Sequence, residues 1–199
     1  MTDSVYAPPK SDLSAPTTDT TAAFYVVSLT KMMVLFIATM GAYQLYWHYK
    51  NWRFHQQLAA ATNGEDSEIW PVPRAIFAIF YIHSLLGKVK QHALNHNRPV
   101  SINTVLTASL IVALMLFGVC GILIKNPLML IIFSVLGMIM LVPNMFLYRN
   151  AQRLINDACG DPAGSVNQEF TTGNYVWIII GVLIWLMQIN TLVTLAKLT

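Results

Sequence analysis

Charge is scarce in this chain. Asp, Glu, Lys and Arg make up only 11 % of its 199 residues, about half the share usual for a soluble domain. No acid at all falls between Glu68 and Asp157, a gap that holds two long apolar runs. A net charge of +3 with no extended basic patch excludes nucleic acid as a natural partner. Cysteine is equally sparse. Cys120 lies within an apolar run and Cys159 in a polar loop, depths too different for a disulfide. The chain also has no Gly-rich phosphate loop, no GxSxG, no CxxC and no HExxH, so it presents neither a nucleophile nor a ligand set.

What remains is apolar, at 55 % of residues. Residues 1–21 are rich in Thr, Ser, Pro and Asp, and are predicted to be a disordered tail because they cannot bury enough surface to offset ordering. The first strongly apolar run begins near Ala22, which does not match a signal peptide. Residues 22–199 are then a membrane domain. Runs 104–124, 127–148 and 175–196 are uncharged, and each is long enough to cross about 30 Å of hydrocarbon. Residues 24–49 form a fourth candidate, interrupted by Lys31, whose ammonium could snorkel to the headgroups. Residues 75–86 are too short to cross comfortably.

Basic residues decide the topology. With four crossings, Lys50, Arg53, Arg74, Lys88, Lys90, Arg98, Arg149 and Arg153 share one face, and Lys10, Lys31, Lys125 and Lys197 the other. A fifth crossing would divide them almost evenly. The expectation is an all-α helical bundle with four transmembrane helices and an interfacial or re-entrant helix over about 74–92. It would lie in a bacterial inner membrane with both termini periplasmic. Trp47, Tyr49 and Trp52 would end the first helix as an aromatic belt at the headgroups.

Polar residues inside the apolar runs are the other candidates. His83, Asn144, Gln188 and Asn190, with Gln44 and Asn103, could form interhelical hydrogen bonds or line a polar path. Asn144 follows Pro143 and could bond the carbonyl that a proline kink exposes. His92 and His96, at i and i+4, make half of a metal site at most.

The stretch TMGAYQLYWHYKNWR, residues 39–53, carries Thr39, Gly41, Tyr43, Tyr46, Trp47, Tyr49 and Lys50 in a T-x-G-x-Y-x-x-Y-W-x-Y-K pattern. It resembles the signature of a group of small prokaryotic multi-pass membrane proteins of unknown function. WPVPRAIFAIFYIHSLL looks like a segment that follows this signature in some bacterial relatives. The resemblance implies a bacterial integral membrane protein and carries over no activity. Anchoring explains the composition of this stretch but not the order of its aromatics.

The functional expectation is a noncatalytic bundle that binds lipid or a membrane partner. Its rim would be Tyr46, Trp47, Tyr49, Lys50, Trp52, Arg53, Trp70, Arg74, Lys88, Lys90, Arg149 and Arg153. The partners would be membrane lipids, another membrane protein or a second copy, and no cofactor is predicted. An oligomeric transporter or channel component lined by Asn144, Gln188 and Asn190 is one alternative. A membrane enzyme, with metal near His92 and His96, is the other.

Overall fold

A computed structural model describes residues 22–197; the predicted tail, 1–21, lies outside them. The described residues are helical and contain no strand: α1 (Leu29–Ala38), α2 (Tyr43–Ala61), α3 (Pro71–Ile76), α4 (Ala78–Asn95), α5 (Thr104–Cys120), α6 (Pro127–Cys159) and α7 (Thr172–Ala196). Three helical stretches are long and apolar enough to cross a membrane: Thr104–Leu123, Pro127–Cys159 and Thr172–Ala196. α6 runs on for 33 residues through Pro143.

The helix expected over 24–49 does not form as one element. Residues 22–28 are non-helical, and Ala23, Phe24, Tyr25, Val26 and Val27 are buried. Ser28 caps α1 by accepting a bond from the Lys31 amide at 3.3 Å. α1 ends after ten residues, because Met40 and Gly41 take left-handed backbone conformations (φ 53° and 84°). Gly41 N–H donates to Phe36 O at 2.8 Å and Met40 N–H to Ile37 O at 3.0 Å, closing the helix as glycine-ended C-termini do. Thr39 Oγ1 then accepts from Tyr43 N at 2.9 Å and starts α2.

The chain turns back at this break. Val27 bonds Asn156 of α6, the Phe36 ring packs 5.4 Å from Tyr148, and a Cβ at Gly41 would lie 3.3 Å from Leu141. α1 therefore descends antiparallel to α6. α2 climbs again: His48 reaches Tyr148, Trp47 reaches Gln152, and His55 stacks on Phe24. Leu141 is still fourteen residues from Pro127 at the start of α6, about 21 Å of helix. The hairpin stops that far short of the other end of the bundle.

The segment expected over 74–92 also divides. Pro71 and Pro73 open α3, as prolines suit a first turn, and a non-helical Phe77 (φ −96°, ψ 37°) separates it from α4. Ala78, Ile79, Ala75 and Ile76 lie beside Met115 and Val119 of α5, and His83 Nε2 lies 3.1 Å from Ser109 Oγ. Ile82, Leu85, Leu86, Val89 and Ala93 form the buried stripe of α4. Ile76, Phe77 and Phe80 remain exposed. The pair α3 and α4 is thus a second dip from the same end.

That end carries the loops 62–70, 96–103 and 160–171, and is called the loop end below. The far end carries residues 121–126.

Candidate functional site

Two polar side chains of α6 hold the non-helical segment 22–28 in place at the loop end. Gln152 Nε2 donates to Tyr25 O at 2.9 Å and Asn156 Nδ2 to Val27 O at 2.9 Å. Tyr25 N–H in turn donates to Asn51 Oδ1 at 3.1 Å. Trp47 Nε1 donates to Gln152 Oε1 at 2.5 Å. All of these side chains except Tyr25 are essentially sealed from solvent. An unpaired non-helical segment inside a helical core would leave its backbone groups unsatisfied; these amides replace the missing sheet neighbour.

Fixing Tyr25 fixes a pocket. Tyr46, Lys50 and Phe54 occupy one stripe of α2 at i, i+4 and i+8. Lys50 Nζ lies 5.6 Å from the Tyr25 ring centroid, 5.9 Å from Tyr46 and 5.1 Å from Phe54. Such distances are favourable between a cation and a ring face. Across the pocket, Lys31 is only 2 % exposed and donates at 2.6 Å to both Asn167 Oδ1 and Glu169 O. Burial holds its ammonium below the ordinary lysine value. Thr171 and Asn174, which form the capping box of α7, complete the wall.

The pocket has a volume of about 340 Å³, and no carboxylate among the described residues lines it. Lys31 donates only to neutral oxygens and retains a third N–H. The lysine and arginine ion pairs among the described residues reduce to Lys88 with Asp66, which also hydrogen-bonds His55 but neither of these lysines. Two cations with no counter-charge among the described residues, beside the N-terminus of a 25-residue helix, make a site suited to an anion.

The expected rim is redistributed by the fold. Tyr46 and Lys50 line the pocket. Trp47 (1 % exposed) and Trp52 (0 %) are core residues, which corrects their assignment to an aromatic belt: α2 packs against α3 and α6, and both indoles turn inward. Tyr49 accepts from Arg53 at 3.1 Å. Arg74 lies 4.4 Å over Trp52 and 5.1 Å over Tyr81. Lys88 pairs with Asp66, Lys90 and Arg153 are exposed and Arg149 half-exposed, and Trp70 projects at 75 % exposure.

The intramembrane polar candidates are partly brought together. Asn144 and Gln188 line one cavity with Gln44, while Asn190 is exposed and absent from it. Asn144 Oδ1 is buried and unpartnered, and as an acceptor it cannot meet the carbonyl that Pro143 leaves free. His83 meets Ser109, and Asn103 caps α5. The His92 and His96 rings lie with centroids 4.2 Å apart and planes inclined by 38°, and no group of three potential metal ligands forms among the described residues. Tyr25, Phe54, Gln152, Asn156 and Asn167 were not singled out from sequence. The i, i+4 spacing of Gln152 and Asn156 was the available signal.

A titratable cluster lies beside the pocket. Phe24 stacks on His55, and its ring meets His92 edge-on. Burial lowers His55 below the ordinary 6.5, against the raising effect of Asp66. Burial, then the neighbouring His96 and His55, lowers His92. For Asp66, burial opposes ionisation, but hydrogen bonds from Lys88 and His55 prevail and hold it below 3.8. Both histidines are thus held neutral when folded, so their stabilisation is present above pH 6.5 and is lost as acid protonates the unfolded chain first. The melting temperature of detergent-solubilised protein should fall between pH 7 and pH 5, followed by tryptophan fluorescence. His55→Phe should flatten that slope, and a melting temperature rising with acid would contradict the assignment.

Comparison with protein-family models, curated proteins and solved structures found no match, so the functional reading rests on the geometry of this chain.

Proposed function

We propose that this is a noncatalytic integral membrane protein that binds the anionic headgroup of a lipid in the pocket between Lys31 and Lys50. One observation carries the reading: two lysines face a cavity of about 340 Å³ that no carboxylate among the described residues lines. The pocket sits beside the start of α7, where the polar loop gives way to the apolar run beginning at Tyr175. That is the level of lipid phosphates if α7 crosses the bilayer. Lys50, held over three rings, supplies charge with an apolar collar, and Lys31 supplies a directed donor.

In this reading α5, α6 and α7 cross and the two hairpins dip from the loop end. Of the described cations, Lys31, Lys50, Arg53, Arg74, Lys88, Lys90, Arg98, Arg149 and Arg153 share that end, while Lys125 and Lys197 lie opposite. On the same eleven cations a four-crossing arrangement divides eight against three, so nine against two is the sharper bias and favours a cytoplasmic loop end in a bacterial inner membrane. Ala22 would then be cytoplasmic and Ala196 periplasmic. In a cysteine-free background, Asn126→Cys should react with an impermeant thiol reagent on intact cells, whereas Ala22→Cys should react only after the cells are opened. Labelling of Ala22→Cys on intact cells would restore the four-crossing arrangement.

The binding test uses the full chain in nanodiscs. Each cation near an anionic surface contributes about 1 kcal/mol, about fivefold in affinity. Lys50→Gln should weaken retention of phosphatidylglycerol over phosphatidylcholine by about fivefold, and Lys31→Gln with Lys50→Gln by more. Competition by millimolar inorganic phosphate would assign the site to a free anion instead of a lipid. Equal retention of both lipids by the native chain would refute the site.

A further inference from the structure

We infer that the groove between α2, α3 and α7 seats an acyl chain of the same lipid whose headgroup meets Lys31 and Lys50. The inference rests on the proposed headgroup site and adds the class of molecule that site takes: a long-chain anionic lipid, not a soluble anion. The groove has a volume of about 290 Å³, and among the described residues its wall is apolar throughout.

Two of its walls run on from the anionic pocket. Tyr46 lines the pocket and the groove alike. Its ring centroid lies 5.9 Å from Lys50 Nζ and 6.0 Å from the Trp177 ring, so the groove begins one ring away from the ammonium. On α7, Asn174 of the pocket and Trp177 of the groove are three residues apart and share a helix face.

The order from polar to apolar follows the axis of the crossing helices. On α2 the pocket takes Tyr46, Lys50 and Phe54, whereas the groove takes Leu45, Tyr46 and Tyr49, shifted toward the α1–α2 turn. On α7 the step is from Thr171 and Asn174 to Trp177, into the apolar run. Ile76, at the floor of the groove, lies beside Met115 of α5, about 16 Å of helix from Thr104 at the loop end. Charge therefore stands at headgroup level and apolar surface below it, the arrangement of a lipid. Leu45, Val72 and Ile76 are 47 %, 54 % and 61 % exposed, so the groove opens sideways and a chain can enter from the bilayer. Lipid tails are as apolar as this wall. The groove therefore fixes where the chain lies and adds little hydrophobic affinity, and position is the quantity to measure.

The test uses the full chain in nanodiscs carrying a trace of phosphatidylglycerol or phosphatidylcholine with a photoreactive diazirine on the carbonyl-proximal half of one acyl chain. Phosphatidylglycerol should label residues 45–49, 72–76 and 177 in excess over phosphatidylcholine. The exposed Val105 and Leu106, at the same end of α5, should be labelled equally by both. Lys50→Gln should cut the excess about fivefold, the share of one cation near an anionic group. Val72→Trp combined with Ile76→Trp fills the groove from two exposed positions. That variant should lose the excess at residues 45–49 and 177, with retention of phosphatidylglycerol over phosphatidylcholine and the melting temperature both unchanged. Equal groove labelling by the two lipids, in a native chain that still retains phosphatidylglycerol, would overturn this inference and leave the headgroup site standing. So would an excess that survives the double tryptophan variant. A native chain that retains neither lipid preferentially would instead remove the headgroup site, and this inference with it.

Discussion

Replacing Asn156 with Leu is expected to destabilise the protein by about 2–6 kcal/mol, since it strips hydrogen bonds from two buried backbone groups at about 1–3 kcal/mol each. Asn156 Nδ2 donates to Val27 O at 2.9 Å, and its Oδ1 accepts from Val27 N at 3.4 Å and from Gln152 Nε2 at 2.7 Å. Leu has a similar volume but neither donor nor acceptor. Nothing else near Val27 can replace the lost partner, because Val27, Gln152 and Asn156 are all 0 % exposed. The non-helical segment 22–28 would detach, and Gln152, which also holds Trp47, would lose its anchor. Thermal melts in detergent, read by the fluorescence of Trp47, should show the loss, and the pocket around Lys50 should open with it. An unchanged melting temperature would mean that the segment is held by its apolar side chains alone. Gln152→Leu should act similarly, because Tyr25 O and Trp47 Nε1 would both lose their partner.

Gly181→Val is expected to displace the α1–α2 turn from α7. A Cβ at residue 181 would overlap Ala38 O and lie 2.7 Å from both Ala38 C and Thr39 Cα. These are backbone atoms, so no rotamer change relieves the overlap. Overpacking a well-filled core costs about 1–3 kcal/mol when side chains can adjust, and a backbone obstruction should reach or exceed the upper end. The Trp185 Nε1 bond to Ile37 O, at 3.0 Å, crosses the same contact and should break. A red shift in tryptophan emission with lowered thermal stability would report it. Gly87→Ala is the control: a Cβ there meets nothing within 4 Å, and an alanine in a helix should be neutral or stabilising by about 0.5–1 kcal/mol. If both variants melt alike, the turn does not depend on its close approach to α7.

The motif at residues 39–53 shows how far sequence reading reaches. Thr39 accepts the first amide of α2, and Gly41 provides one of two left-handed residues. Tyr43 is buried with its hydroxyl 3.3 Å from that of Tyr25. Tyr46 and Lys50 face the pocket, Trp47 ties α2 to α6, and Tyr49 meets Arg53. Each position has a distinct neighbour, which accounts for the order of the aromatics that anchoring alone did not explain. Thr39 and Tyr49 meet residues four positions on, but the neighbours of Tyr43, Trp47 and His48 come from residues 25, 152 and 148, about a hundred positions away in the last two cases. A window of local composition cannot contain them.

The sequence by itself determined the helical class, the three long apolar runs of α5, α6 and α7, and the gathering of cations near 50–98 and 149–153. These follow from length, apolar content and charge, which are sums over neighbouring residues. Only the tertiary structure decided that residues 24–49 fold back as an extended segment, a short helix and a turn, that Trp47 and Trp52 face the core, and that Lys31 faces Lys50 across a pocket. Those outcomes depend on two left-handed residues at 40 and 41 and on backbone hydrogen bonds supplied by Gln152 and Asn156. An apolar run has the same composition whether it continues or turns, and it turned here because distant amides could satisfy the backbone it exposed.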